Sequence, residues 1–135
     1  MDLHVRKLFW TSDGWPLASP ERYAGEGDGL VAKDSLAGSW ERIVLNYRVV
    51  PGYGNEQVSP DFQTSENLTI STDGTFNNET GNKWTYTAPW LQLTWSNGNT
   101  ENVFVQKGRD WENKKTALLF TGLDNSGTAI WGKKK

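Results

Sequence analysis

The chain contains no cysteine, which excludes disulfides, thiolate zinc sites and cysteine nucleophiles. It has a single histidine, His4. That rules out a multi-histidine metal site and argues against a Ser-His-Asp centre built away from the N-terminus. No apolar run approaches the roughly 18 residues of a membrane helix. No secretory leader is visible, since Met1 and Asp2 run directly into a strand-like segment. Such a start is expected of a piece excised from a longer protein. Charge of one sign is also missing: 14 basic residues against 16 acidic ones leave a net charge of −2. A chain of that balance does not attract polyphosphate over its whole surface, so nucleic acid is not expected as a partner. The only basic run, Lys133-Lys134-Lys135, is too short for a binding arm and reads as a solvated tail. Helical periodicity, internal repeats and low-complexity segments are absent as well.

Aromatics are abundant: eight Trp, five Phe and four Tyr in 135 residues. Each buries about 150–250 Å² when packed, which offsets an apolar share of only 36%. The length corresponds to one domain, taken as residues 1–135. Period-two alternation bounded by Gly, Asn, Asp and Ser recurs along the chain and predicts strands. The segment 4–18 reads as a hairpin around Asp13-Gly14, followed by a long loop over 19–37. Trp40 to Val50 reads as the longest early strand, with Ile43, Leu45, Tyr47 and Val49 on one face and Arg42, Asn46 and Arg48 on the other. Further strands are expected at 67–71, 75–77, 83–88, 91–95, 101–107, 116–121 and 128–131, with Asp73-Gly74 and Asn97-Gly98 as turns. About eight to ten strands joined mostly by short turns favour an all-β fold, a single antiparallel up-and-down barrel.

The stretch from Leu3 to Glu26 carries Asp13-Gly14-Trp15-Pro16 and Ser19-Pro20-Glu21-Arg22-Tyr23-Ala24-Gly25-Glu26. It resembles the start of the C-terminal β-barrel domain that follows the five-bladed propeller in glycoside hydrolase family 43 endo-arabinanases. The end, from Thr121-Gly122-Leu123 to Ile130-Trp131-Gly132-Lys133, resembles that domain's last hairpin. Gly38-Ser39-Trp40 looks like the Gly-x-Trp of lipocalin-like barrels, where Gly lets the backbone bend and the Trp plugs the barrel end. The resemblance implies a lipocalin-like accessory domain whose catalytic carboxylates lie on a propeller that is absent here. It also implies a bacterial, extracellular location, no cofactor, and two partners: a polysaccharide (arabinan, arabinoxylan or xylan) and the catalytic propeller domain of the same parent chain.

Among the chemistry-bearing residues, Asp13, Asp28, Asp73 and Asp124 stand in turns, where turn hydrogen bonding explains them without catalysis. Glu21 and Glu26 lie inside the resembling motif, and a salt bridge with Arg22 or Arg6 is the plainer expectation. Asp124-Asn125-Ser126 lacks the spacing of a calcium loop. The glycine patterns at 25–29 and 52–54 do not open a helix after a strand, so no nucleotide site is expected. Asn67-Leu68-Thr69 and Asn78-Glu79-Thr80 are glycosylation triplets that matter only in a eukaryotic secretory host.

The aromatics carry the functional expectation. Sugar rings offer C–H faces to flat side chains, while amides and carboxylates fix their hydroxyls. Trp10, Trp40, Trp84, Trp95 and Trp131 fall within strand patterns and are expected in the core. Trp15 follows a turn, Trp90 points opposite to Leu91 and Leu93, Trp111 sits in a polar stretch, and Tyr53 is flanked by glycines. These four form the candidate carbohydrate-binding platform, with packing against a neighbouring domain or a long loop as the alternative. Three functions stay open: a non-catalytic carbohydrate-binding accessory domain, a lipocalin-like binder of a small apolar ligand, and a structural domain bracing a catalytic propeller.

Overall fold

The computed structural model describes residues 3, 5–27, 29–45 and 65–135. Ten strands are seen among them: β1 (Leu8–Trp10), β2 (Pro16–Ala18), β3 (Gly38–Val44), β4 (Glu66–Ile70), β5 (Thr75–Phe76), β6 (Glu79–Thr87), β7 (Trp90–Thr94), β8 (Thr100–Asp110), β9 (Lys115–Asp124) and β10 (Ala129–Lys134). Strands β3 to β10 form a closed antiparallel barrel in chain order, and β10 pairs with β3 to close it. β1 and β2 make a separate two-stranded hairpin. The fold is all-β, and its barrel has the predicted up-and-down order.

Closure removes the unpaired sheet edges that would otherwise invite aggregation. The alternation read from the sequence becomes an inward row of Trp40, Leu68, Ile70, Phe76, Trp84, Leu91, Leu93, Val103, Val105, Phe120 and Ile130, all buried. Trp40 and Phe120 meet in the interior with ring centroids 5.2 Å apart. Gly132 faces the Phe120 ring across the β9–β10 pair, and a Cβ at that position would collide with the ring. Glycine there makes room for the aromatic side chain. The interior is thus filled by side chains, as small barrels are.

The loop before β3 turns inward. Val31 and Leu36 are buried with the core, and Lys33–Ser35 form a short 3-10 turn between them. The Trp40 indole donates to the Leu36 carbonyl at 2.8 Å, and the Tyr86 hydroxyl donates to the Val31 carbonyl at 2.7 Å. Gly38 takes φ +132 as the chain bends into β3, a backbone that suits glycine. This loop plugs the barrel end at which β3 begins.

Four sequence expectations are corrected. Arg42 was expected opposite the apolar face, but β3 points Trp40 and Arg42 to the same, inner side, and Arg42 is buried. Ile43 lies on the outer side and is only half-buried. Parity along a strand decides the matter: Trp40 fixes the inner face, and Arg42 stands two residues on. Tyr47, Val49, Asn46 and Arg48 lie outside the described residues. Trp10 was expected in the core, yet it is 60% exposed. Its strand belongs to the external hairpin, which turns Phe9 and Leu17 toward the barrel and leaves Leu8 and Trp10 facing away. Trp131 likewise lies on the outer side of β10 between the buried Ile130 and Gly132, with the Arg6 guanidinium 5.6 Å from its ring centroid. Lys133 and Lys134 are not a solvated tail. They end the strand that closes the barrel, and both are half-buried.

Candidate functional site

The β1–β2 hairpin lies on the outside of the barrel, over β8 and β9. Phe9 stacks on Phe104 with ring centroids 4.0 Å apart and planes 19° apart. Phe104 also meets Trp90 at 5.4 Å and 84°, an edge-to-face contact. The Thr121 hydroxyl donates to the Ala18 carbonyl at 3.0 Å, and the Gln106 amide donates to the Ser19 hydroxyl. The hairpin turn is itself tied: the Trp15 amide donates to the Thr11 hydroxyl oxygen at 2.9 Å, and the Thr11 hydroxyl donates to the Asp13 carboxylate. Its tip is therefore held at a fixed place beside the barrel wall.

Between the tip and the wall runs a cleft of about 550 Å³, lined by Thr11, Ser12, Asp13, Trp90, Asn102, Leu123 and Asp124. Trp90 is half-buried, and its tilt is set by the Phe104 contact. Asn102 is exposed, pairs across the sheet with Gln92 and Leu123, and makes no side-chain hydrogen bond to any described residue. Its amide can give two hydrogen bonds and its carbonyl can accept. The Asp124 carboxylate accepts from the Ser126 amide at 2.9 Å, the Ser126 hydroxyl at 2.7 Å and the Thr128 amide at 2.9 Å. Burial pushes this carboxyl up, but those hydrogen bonds more than reverse it and hold it below the usual carboxylate range. The cleft thus combines an indole, an open carboxamide, hydroxyls and two carboxylates. That set suits a neutral polyhydroxylated ligand: a flat apolar surface for C–H faces and polar groups for hydroxyls.

The four predicted platform residues do not come together. Trp90 lines the cleft. Trp15 sits on the hairpin that forms its other wall and is 62% exposed. Trp111 stands in the β8–β9 turn, at the far end of β8 from Asn102, up to about 30 Å along the strand. There its indole donates to the Arg22 carbonyl at 3.1 Å, and the guanidinium groups of Arg22 and Arg109 lie 4.0 and 5.2 Å from its ring centroid. The ring is engaged in fastening the 19–37 loop to the barrel. Tyr53 lies outside the described residues. Asn102 was missed by sequence reasoning. Its signal was its place, two residues before the outward-facing Phe104 and directly beside β7.

Several of the other acidic residues are held in ion pairs. Glu21 meets Lys133 at 3.6 Å, and Glu26 meets Lys7 at 3.8 Å. Lysines thus stand where Arg22 or Arg6 was expected. Lys133 also meets Asp110 at 3.2 Å and Glu112 at 3.6 Å. Inside the barrel, Arg42 binds Glu101 through two nitrogens and reaches Glu66 at 3.3 Å. The Trp95 indole also donates to Glu101, and the Arg42 guanidinium lies 4.9 Å from the Trp95 ring centroid. Glu66 and Glu101 are therefore two partners of one cation rather than an acid and a base facing open space. Among the described residues, no group of three or more His, Asp or Glu side chains is arranged to hold a metal ion.

Residues 20–132 match the family model of the C-terminal lipocalin-like domain of glycoside hydrolase family 43. The chain belongs to that family. Extracellular endo-α-(1→5)-L-arabinanase 2 of Bacillus subtilis (strain 168) is 28% identical to it over 136 residues, covering 98% of the chain and 26% of the arabinanase. The extracellular endo-α-(1→5)-L-arabinanase of Thermotoga petrophila is 24% identical over 133 residues, covering 96% of the chain and 26% of that enzyme. The chain thus spans about a quarter of the length of these curated relatives. Among solved structures, the family 43 YxiA protein of Bacillus licheniformis superposes with a TM-score of 0.76 at 23% identity, over 97% of the chain and 28% of that protein. The Thermotoga petrophila endo-1,5-α-L-arabinanase in complex with TRIS gives 0.77 at 20% identity, over 98% of the chain and 28% of the enzyme. At such identities the structures speak for the fold. The GH43 C-terminal domain is the lipocalin-like part of these enzymes and not their catalytic module.

Proposed function

We propose that this GH43 C-terminal domain is a non-catalytic accessory module of a bacterial, extracellular enzyme that degrades arabinan or a related hemicellulose, and that it holds polysaccharide in the Trp90 cleft. One observation carries the reading: the half-buried Trp90 indole is braced by Phe104 and shares a cleft with the open Asn102 carboxamide. Both curated relatives carry arabinanase names, which supports arabinan as the first ligand to test. The filled interior, with Trp40, Phe76 and Phe120 fully buried, speaks against a lipocalin-like apolar ligand inside the barrel.

Affinity electrophoresis in gels containing arabinan, arabinoxylan or xylan tests the module. Retardation in at least one gel is expected, reduced by Trp90→Ala and by Asn102→Ala. Asn102 is exposed, so its loss leaves the fold in place. Migration unchanged in all three gels would overturn carbohydrate binding, and retardation untouched by both substitutions would overturn the cleft. The isolated chain is expected to release no sugar from linear arabinan.

A second role is favoured by the outer face of the hairpin, where Leu8 is 55%, Trp10 60% and Trp15 62% exposed. Single exposed apolar residues need no explanation, but three large ones on one small hairpin suit burial against another domain. The catalytic propeller of the parent chain is the proposed occupant. The two roles use different faces of the same hairpin and are compatible.

A further inference from the structure

The molecule carries a slight negative charge overall, yet four lysines gather around one depression at the plugged end of the barrel. A cleft of about 660 Å³ opens there, and Lys107, Lys115, Lys134 and Lys135 stand around it, with Glu26 as the only acidic side chain of its lining among the described residues. Glu26 is already taken up by Lys7 and by the Ala24 amide. None of the four lysines is paired with a carboxylate among the described residues. Lys134 donates to the Ser35 carbonyl at 2.6 Å, which fixes its ammonium at the mouth. Lys135 donates to the Asn67 side-chain oxygen. Lys107 and Lys115 make no side-chain hydrogen bond or ion pair to a described residue. The floor is small and apolar, with Gly108, Ala117 and Leu118.

We infer that this cleft binds a polysaccharide bearing uronate carboxylates, separately from the neutral-sugar cleft at Trp90. The inference rests on the proposed role as a polysaccharide-holding module. Several unneutralised ammonium groups around one depression attract an anion spread along a chain rather than a single compact one. Lysine offers rotatable point charges, which suit carboxylates at loosely fixed positions. Among the described residues no aromatic side chain lines the cleft, so they offer no stacking surface of the kind that single-stranded nucleic acid uses. A carboxylated glycan asks only for charge and for a shallow apolar floor.

The test uses the intact chain in affinity gels containing polygalacturonate, its methyl-esterified form, or dextran sulfate. Retardation is expected with polygalacturonate and is expected to disappear as NaCl rises from about 0.02 M to about 0.5 M, as screening shortens the reach of exposed charges. Methyl esterification removes the anion and should abolish it. Lys107→Gln with Lys115→Gln should weaken the apparent affinity about tenfold or more, equivalent to about 1.4 kcal/mol. Both positions are exposed, and thermal denaturation checks that the doubly substituted chain remains folded. Migration unaffected by polygalacturonate, retardation equal on the methyl ester, or retardation untouched by the double substitution would each overturn the inference. Stronger retardation by dextran sulfate than by polygalacturonate would also overturn it, since it would mark a site for any dense polyanion. Arabinan retardation abolished only by Trp90→Ala reports on the other cleft, so the two readings can fail separately.

Discussion

The two ends of the barrel are closed by opposite means. At the end where β3 begins, Val31 and Leu36 enter over Trp40, and the polar atoms there are satisfied by the Trp40 and Tyr86 hydrogen bonds to backbone carbonyls. At the other end, where β8 begins, the buried Arg42–Glu101 pair fills the same kind of space, supported by Trp95 and Glu66. Apolar closure gains from removing surface from water. Ionic closure gains little net, because two charges must first be desolvated, but it penalises the loss of either partner heavily. One end is therefore a source of stability, and the other a place where the loss of either partner is costly.

Truncation separates the two. Trp40→Ala should lose about 3–5 kcal/mol, since it removes a large buried side chain and leaves a cavity. Glu101→Leu should lose a comparable 3–5 kcal/mol or so by leaving the buried Arg42 with only the largely exposed Glu66 as a partner. The ends then diverge. Adding Arg42→Met to Glu101→Leu should restore most of that loss, because the uncompensated charge disappears. No second truncation near Trp40 should restore anything. Urea denaturation midpoints check both, and a double variant no more stable than Glu101→Leu alone would break the comparison.

A smaller effect lies at the end of β8, at Asp110. Burial pushes this carboxyl up, but hydrogen bonds from Asn113 and Lys133, with the charge of Lys133, more than reverse it and hold it at about 2. Its folded value is thus below the ordinary 3.8. The stabilisation is present above that ordinary value and is lost as pH falls through it toward 2. Denaturation midpoints should fall over that window, and Asp110→Asn should flatten this part of the profile. The smallest effect is at the plug. Tyr86→Phe leaves the Val31 carbonyl without its donor and should cost about 1 kcal/mol, read as a slightly lower melting temperature.

The barrel was legible in the sequence because closed antiparallel sheets write period two into every strand. Leu91, Leu93 and Trp90 were placed on their faces from alternation alone. Asp73 and Asp124 were recognised as turn residues, and their carboxylates accept from Thr75 and from Ser126 and Thr128. Arg42 was misplaced because Ile43 and Leu45 look like core residues. The outer wall of β3 and β10 is itself partly covered, so half-buried apolar side chains occur on both faces. Trp10 was misplaced because alternation does not reveal whether a hairpin joins the barrel or lies on it. The cleft was half legible. Trp90 was chosen for its orientation, whereas Asn102 and the hairpin tip enter it only through tertiary packing of Phe9 on Phe104.

Polysaccharide binding beside Trp90 is the proposal on which the functional reading depends. It is tested most directly by following the indole N–H and side-chain amide signals of the isotope-labelled chain in NMR spectra during titration with linear arabino-oligosaccharides. The Trp90 indole and Asn102 amide signals should move together and saturate, while the Trp111 indole, engaged with the Arg22 carbonyl, should stay in place. Spectra that do not change at saturating oligosaccharide, or shifts confined to Trp111 and its turn, would contradict it.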